Sequence, residues 1–130
     1  MIARLLSVTV LIALTACEPP PRPLAPGPEA RKLVDTATLA YADCITEGAE
    51  TAPLDRSPGL VIGDVFRNCA PARQVLAASI EKFHAIGHPK LTPEQLKIVG
   101  EASIQQLEPQ LRNDAIAVYV GRALPNRESK

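Results

Sequence analysis

Tryptophan is absent from this sequence, and aromatic residues of all kinds make up only 3% of it. Without aromatic side chains on which bases can stack, a platform for single-stranded nucleic acid is not expected. An excess of positive charge is also missing, because 14 basic residues balance 14 acidic ones. A polybasic nucleic-acid binder derives its affinity from phosphate neutralisation, so the composition predicts no nucleic-acid partner.

Long apolar runs are equally scarce. The main one extends from Leu5 to Leu14, about ten residues, whereas a transmembrane helix needs roughly 20. With 130 residues, of which 22% are charged, the chain has room for one domain and lacks the composition of a fully disordered protein.

The first 17 residues follow the order of an export signal. Arg4 supplies a positive charge, the apolar run follows, and the run ends in Leu14-Thr15-Ala16-Cys17. An aliphatic residue, two small residues and a cysteine in this order resemble the lipobox of bacterial lipoproteins. In that family the cysteine thiol receives a diacylglycerol, the chain is cut just before it, and the new amino group is acylated as well.

The resemblance implies that residues 1–16 are a lipoprotein signal peptide and that Cys17 carries the lipid anchor. Acyl chains attach a protein stably to a membrane because each buried CH₂ contributes about 0.8 kcal/mol. Glu18 follows the cysteine, and in enterobacterial lipoproteins an Asp at that position favours retention in the inner membrane. We therefore expect an outer-membrane protein facing the periplasm. The alternative interpretation of the first 17 residues is an ordinary secretory signal or an uncleaved anchor.

Proline is concentrated in the segment that follows, residues 18–28, where six of eleven residues are Pro. Proline fixes φ and lacks an N–H, so this segment cannot join a helix or a sheet interior. We expect residues 17–28 to form the lipidated cysteine and an extended linker of roughly 3.1 Å per residue. A proline-rich docking motif of the PxxP type is the alternative interpretation.

From residue 29 onward, apolar residues recur every three or four positions, which is the periodicity of amphipathic helices. No run alternates with period two for long enough to predict a strand. The sequence therefore predicts an all-α domain over residues 29–130, a small three-helix bundle with kinked helices. The three helices are expected at 29–49, from Ser57-Pro58 to Gly87, and at 92–123.

Helix-start and helix-break residues sharpen these predictions. Thr92 and Gln95 have the spacing of a capping box, with Pro93 at the first helical position. Pro71 lies inside the second helical pattern, so we expect either a kink at 67–71 or two short helices sharing one axis. Pro109 predicts a kink in the third helix.

Cysteine usage indicates a disulfide. With Cys17 assigned to lipid, Cys44 and Cys69 remain, and both fall on the apolar faces of neighbouring helices. An exported compartment is oxidising, so these two residues are expected to form a structural disulfide. Two buried free thiols and a redox function are the alternatives, although neither residue belongs to a CxxC motif.

Catalytic and metal-binding patterns are sparse. His84 and His88 lie four residues apart and could share a metal on a helix, but the Glu of HExxH and a third ligand are missing. We therefore predict no metal and no cofactor, and interpret the pair as cations at a helix C-terminus. Carboxylates are expected on solvated helix faces, including Asp35, Asp43, Glu47, Glu81, Glu101 and Glu108.

The third helix carries a second apolar face. Ile104, Leu107 and Leu111 mark the face expected in the core, whereas Ile116 and Val120 lie near the opposite side, with Tyr119 at the edge. We expect Ile116, Tyr119 and Val120 to contact a protein partner or a second copy of the chain. The alternatives are that part of the second helix covers this face or that the Pro109 kink merges the two faces.

Together these features predict a lipid-anchored cell-envelope protein that acts as a non-catalytic helical binding or scaffold module. Its expected partners are the membrane, through acyl chains on Cys17, and an envelope protein or itself. A carrier of a lipid or small apolar ligand and an enzyme with an unrecognised site are the alternatives.

Overall fold

The computed structural model describes residues 25–124. Over this range the chain forms four helices and no strand, which confirms the all-α prediction. The predicted signal, Cys17 and the linker up to residue 24 lie outside the described residues. The helices are α1 (Pro28–Thr51), α2 (Pro58–Asn68), α3 (Ala70–Gly87) and α4 (Pro93–Ala123).

The second predicted helix is divided at Cys69, where α2 ends and α3 begins. Pro71 explains the break, because its ring would clash with the carbonyl of Arg67 and it has no N–H to donate. The structure therefore contains two helices here rather than one kinked helix. Pro109, by contrast, lies inside α4 without interrupting it.

The helix starts follow the sequence signals with one exception. At α4 the Thr92 hydroxyl accepts from the Gln95 N–H at 3.3 Å, and the Gln95 side chain accepts from the Thr92 N–H at 2.8 Å, which confirms the capping box. Ser57 is the N-cap of α2, but its hydroxyl makes no capping hydrogen bond. At α2 the fixed φ of Pro58 is what favours the first turn.

Hydrogen bonds between α1 and α4 show how these two helices run relative to one another. The Tyr41 hydroxyl of α1 donates to Glu108 of α4, and further along both helices Arg122 donates to the carbonyls of Ala49 and Ala52 at 2.8 and 2.9 Å. The helices α1 and α4 are therefore parallel. Arg122 also satisfies carbonyls at the end of α1 that have no partner within the helix.

The helix α3 runs antiparallel to α4. Arg73, near its start, contacts Glu108, whereas Ala77, one turn later, lies against Gly100. The beginning of α1, the end of α3 and the beginning of α4 consequently lie at one end of the bundle, which we call the tether end. The short α2 contacts the C-terminal half of α4, where the Arg112 guanidinium lies 4.5 Å from the centre of the Phe66 ring.

One core connects all four helices. Tyr41, Ile62 and Ile104, from three different helices, have no solvent-exposed surface. Among the described residues no helix has the length and apolarity needed to span a bilayer. The other large or medium core side chains are Ile45, Val61, Val65, Leu76, Ile80 and Tyr119.

Gly48 permits the close approach of α1 and α2. A methyl group at this position would lie 2.6 Å from Cγ1 of Val65, a buried and stiff β-branched side chain. We therefore expect Gly48→Ala to lower the free energy of unfolding by about 1–2 kcal/mol, because overpacking outweighs the gain in helix propensity. Urea denaturation measures this change.

Gly63→Ala is the matched control. Gly63 lies inside α2, and its nearest neighbour is the flexible end of Arg67, at 3.7 Å from the added methyl group. This variant should gain up to about 1 kcal/mol from helix propensity alone. If Gly48→Ala and Gly63→Ala raise the free energy of unfolding equally, the close approach of α1 and α2 at Gly48 is contradicted.

Candidate functional site

A chain of polar side chains crosses the bundle, and we call Tyr41, Arg73, Glu101 and Glu108 the bundle-crossing network. Arg73 of α3 lies between two carboxylates of α4: Nη1 and Nη2 donate to the two oxygens of Glu101 at 3.0 and 2.6 Å, and Nε donates to Glu108 at 2.8 Å. The Tyr41 hydroxyl donates to the same oxygen of Glu108 at 2.9 Å. Three helices are thereby joined through two carboxylates.

The pKa shifts in the network keep its groups in one protonation state at neutral pH. Hydrogen bonds from Arg73 lower the pKa of Glu101 below its usual range, and the contact with Glu101 raises the already high pKa of Arg73. Burial, and then the bond to Glu108, raise the pKa of Tyr41. At neutral pH Glu101 therefore stays ionised and Tyr41 stays protonated, which suits these two groups to holding helices together rather than to exchanging protons.

The network continues into α2 through Phe66. The Phe66 ring meets the Tyr41 ring edge-on, at 6.3 Å between centres and 84° between planes. Its face is covered by the Arg112 guanidinium of α4. Cation–π and edge-to-face contacts of this kind contribute about 0.5–1.5 kcal/mol each, and they position α2 against α1 and α4.

Cys44 and Cys69 form a disulfide, as expected, with their Cα atoms 6.0 Å apart. The bond links the C-terminal half of α1 to the junction between α2 and α3. Cys69 is buried, and Cys44 is half-buried. The residue at which Pro71 breaks the helix is thus the one that is covalently fixed to α1.

An open cleft of about 350 Å³ lies beside the disulfide, between the end of α1, the α1–α2 connection and α2. Its polar wall is an ion pair in which Arg56 lies 2.8 Å from Asp64, and Arg67 also contacts Asp64. The hydrogen bond from Arg56 lowers the pKa of Asp64. The lining residues are Cys44, Gly48, Thr51, Ala52, Pro53, Arg56, Val61, Asp64, Val65, Asn68 and Cys69.

The predicted contact patch on α4 needs correction. Tyr119 is only 2% exposed, and its hydroxyl lies 3.0 Å from the carbonyl oxygen of Pro53 and 2.9 Å from that of Arg56. A hydroxyl carries one proton, so it serves both carbonyls of the α1–α2 connection as a shared donor. Tyr119 is therefore a core residue that anchors a connection, not a surface contact.

Ile116 and Val120 are half-buried and pack against the core. The helix α2 contacts this half of α4 through Phe66 and Arg112, so we attribute the partial burial to cover by α2, which is one of the alternatives given above. The N-terminal half of the same face has no such cover, and Ile98 remains 68% exposed.

His84 and His88 stack with their ring centres 6.0 Å apart at the end of α3. Within residues 25–124 no three His, Cys, Asp or Glu side chains gather as a metal site would require. His84 lies in the last turn of α3, and His88 follows the helix directly.

Glu101 and Glu108 are two of the carboxylates that were expected on solvated helix faces, and no sequence motif marks Arg73. The structure instead places Glu108 and Arg73 half-buried, with side chains 25% and 28% exposed. The seven-residue spacing of the two glutamates was the available signal, because it puts both on one face of a helix two turns apart.

Comparisons give no relative from which a function could be transferred. The chain matches no family model, no curated protein and no solved structure.

Proposed function

We propose that this protein is a lipid-anchored cell-envelope protein whose helical domain is a non-catalytic binding or scaffold module. The observation that carries the proposal is the order of features in residues 1–17: a positive charge, a short apolar run, and Leu14-Thr15-Ala16-Cys17. The acyl chains on Cys17 would attach the protein to the outer membrane, and the proline-rich linker would separate the helical domain from the bilayer.

The disulfide supports export. A Cys44–Cys69 bond requires an oxidising compartment to persist, and bacterial envelopes provide one outside the inner membrane. The compartment implied by the first 17 residues and the chemistry of the helical domain thus agree.

The bundle-crossing network supports a structural rather than catalytic role for the domain. Its arginine and carboxylates pair with one another, and the raised pKa of Tyr41 keeps its hydroxyl a donor to Glu108. A domain held rigid by such a network and by a disulfide presents fixed surfaces, which suits a binding or scaffold module.

Cys17→Ala tests the anchor. In cells fed a fatty-acid analogue, the wild-type protein should take up the label and fractionate with membranes, whereas Cys17→Ala should take up none, because it lacks the acylated thiol. Gel fluorescence of the immunoprecipitated protein measures the incorporation.

The control is the double variant Cys44→Ala, Cys69→Ala, which keeps Cys17 and removes the other two cysteines. It should retain the label. Label that persists in Cys17→Ala, or that disappears in the double variant at equal protein level, contradicts anchoring through Cys17.

A further inference from the structure

The Cys44–Cys69 disulfide lies at the boundary between the core and the open cleft. Both cysteines line the cleft, which extends between the end of α1 and α2. The two residues differ in exposure, because Cys44 is half-buried whereas Cys69 is only 2% exposed. A thiol that enters the cleft therefore reaches the sulfur of Cys44 more readily than that of Cys69.

The cleft has room for a small thiol compound. Its volume of about 350 Å³ lies within the range of ligand sites in proteins, which begins at about 300 Å³. The cleft is open to solvent, so access requires no separation of the helices. Val61 and Val65 supply apolar lining, and the exposed Asn68 lies beside the disulfide.

The disulfide joins the two helices that form the walls of the cleft. Cys44 belongs to α1, and α2 ends at Cys69. The contact of Phe66 with Arg112 of α4 does not depend on this bond. Opening the disulfide would therefore remove the covalent link between α1 and the α2–α3 junction while α2 stays packed against α4.

We propose that the Cys44–Cys69 bond is a site of thiol–disulfide exchange, at which a small thiol or the dithiol of a reductant protein attacks Cys44 from the cleft. The thiolate of the reductant forms a bond to Sγ of Cys44. The bond between the two cysteines breaks, and its electron pair leaves on Sγ of Cys69, which takes up a proton from water.

A second thiolate of the reductant completes the reaction. It attacks the reductant's own sulfur in the mixed disulfide, and Cys44 leaves as a thiolate that is protonated in turn. Two electrons have then passed to the protein, because both cysteines are reduced and the two thiols of the reductant have become a disulfide. This inference rests on the proposed binding module for its setting, in which the redox state decides whether the walls of the cleft are covalently linked.

The test uses the oxidised chain of residues 17–130 with Cys17→Ser, in which the two cysteines of the disulfide are the only ones left. Every core residue lies between Ala37 and Tyr119, so this chain retains the complete core, and circular dichroism checks its helicity. The probe is reduced glutathione without oxygen at about pH 8, where a thiol is partly ionised. After free thiols are blocked with iodoacetamide, peptide mass spectrometry locates the glutathione adduct and measures its rate of formation.

Glutathione should attach to Cys44 at least about ten times as often as to Cys69, since a thiol reaches the more exposed sulfur first. Addition of about 1 M urea should change the rate less than about twofold. A reaction that waited for global unfolding would instead become about five- to tenfold faster, because urea raises the unfolded population.

Asn68→Asp tests the direction of attack. It places a negative charge in the cleft with little change in shape, and should slow the approach of a thiolate about two- to fivefold. Asn113→Asp is the matched control, because it makes the same change on an exposed residue of α4, which the disulfide does not join. Its effect on the rate should be less than about 1.5-fold.

Three outcomes overturn the proposal: equal attachment to both cysteines, acceleration by urea as for global unfolding, or equal slowing in Asn68→Asp and Asn113→Asp. The first two would assign the reaction to the unfolded chain, in which both sulfurs are equally accessible. Acyl labelling concerns Cys17, which this experiment removes, so failure of the anchor and failure of the exchange site are distinguishable.

Discussion

Reduction of the Cys44–Cys69 disulfide is expected to lower the free energy of unfolding by about 3–4 kcal/mol. The bond spans 25 residues of sequence, so its loss frees a sizeable loop in the unfolded chain. The core that remains contains no tryptophan and few aromatic rings. For a domain of this size the loss corresponds to a decrease in Tm of about 15–25 °C, which a thermal melt with and without a thiol reductant measures.

The variant Cys44→Ala, Cys69→Ala should melt within a few degrees of the reduced protein, because both lack the same cross-link. Its helicity at low temperature should stay close to that of the oxidised protein, since α1, α3 and α4 share core residues that do not depend on the bond. Two titratable thiols at Cys44 and Cys69 in the native, unreduced protein would contradict the disulfide.

Arg73→Met is expected to lower the free energy of unfolding by about 2–3 kcal/mol. The substitution keeps most of the aliphatic stem but removes the three donors that reach Glu101 and Glu108. Glu108 then remains half-buried with only the Tyr41 hydroxyl as its partner. Urea denaturation measures the loss.

Arg67→Met is the control for loss of an arginine. Its side chain is 73% exposed and contacts Asp64, which keeps Arg56 as a partner. Exposed ion pairs contribute little, so this variant should change stability by less than about 0.5 kcal/mol. Equal effects of the two substitutions would show that Arg73 does not join the helices.

The pH dependence of stability distinguishes the ion pair of Arg73 with Glu101 from the packing of the Arg73 side chain. Because the pKa of Glu101 is lower in the folded protein than its ordinary value of 4.5, the Arg73–Glu101 pair stabilises the fold above that value and its contribution disappears as the pH falls below it. Wild-type stability should therefore decline on acidification below about pH 4.5 more than that of Arg73→Met. Parallel declines in the two proteins would mean that the pair does not stabilise the native state.

Much of the helical framework was predictable because its signals are local. The capping box at Thr92 requires only residues within one turn of one another, and the structure contains it. Pro71 removes one helical hydrogen bond and crowds the preceding turn, so a kink or a division at 67–71 was predictable from covalent geometry. Pro109, which α4 accommodates, shows that the choice between the two depends on tertiary structure. The disulfide was predictable from compartment and cysteine count, since only two candidates remained after Cys17.

The bundle-crossing network could not be predicted in the same way. Tyr41 and Glu108 are 67 residues apart in the chain, and nothing local indicates that their side chains meet. The sequence shows a carboxylate on a helix, but only the neighbouring helix decides whether water or a guanidinium surrounds it.

Periodicity, capping residues and prolines in the sequence determined which segments are helical and where the middle segment divides, because those choices depend on residues within a few positions of one another. Whether the second apolar face of α4 is buried depends on tertiary structure. Ile116 and Val120 are half-buried and Tyr119 is anchored to Pro53 because α2 and its preceding connection fold back over them. Ile98, on the same face of the same helix, stays exposed because an eleven-residue α2 does not extend that far. An amphipathic pattern shows which face of a helix is apolar enough to be buried. How much of that face is buried depends on the length and direction of the neighbouring helix.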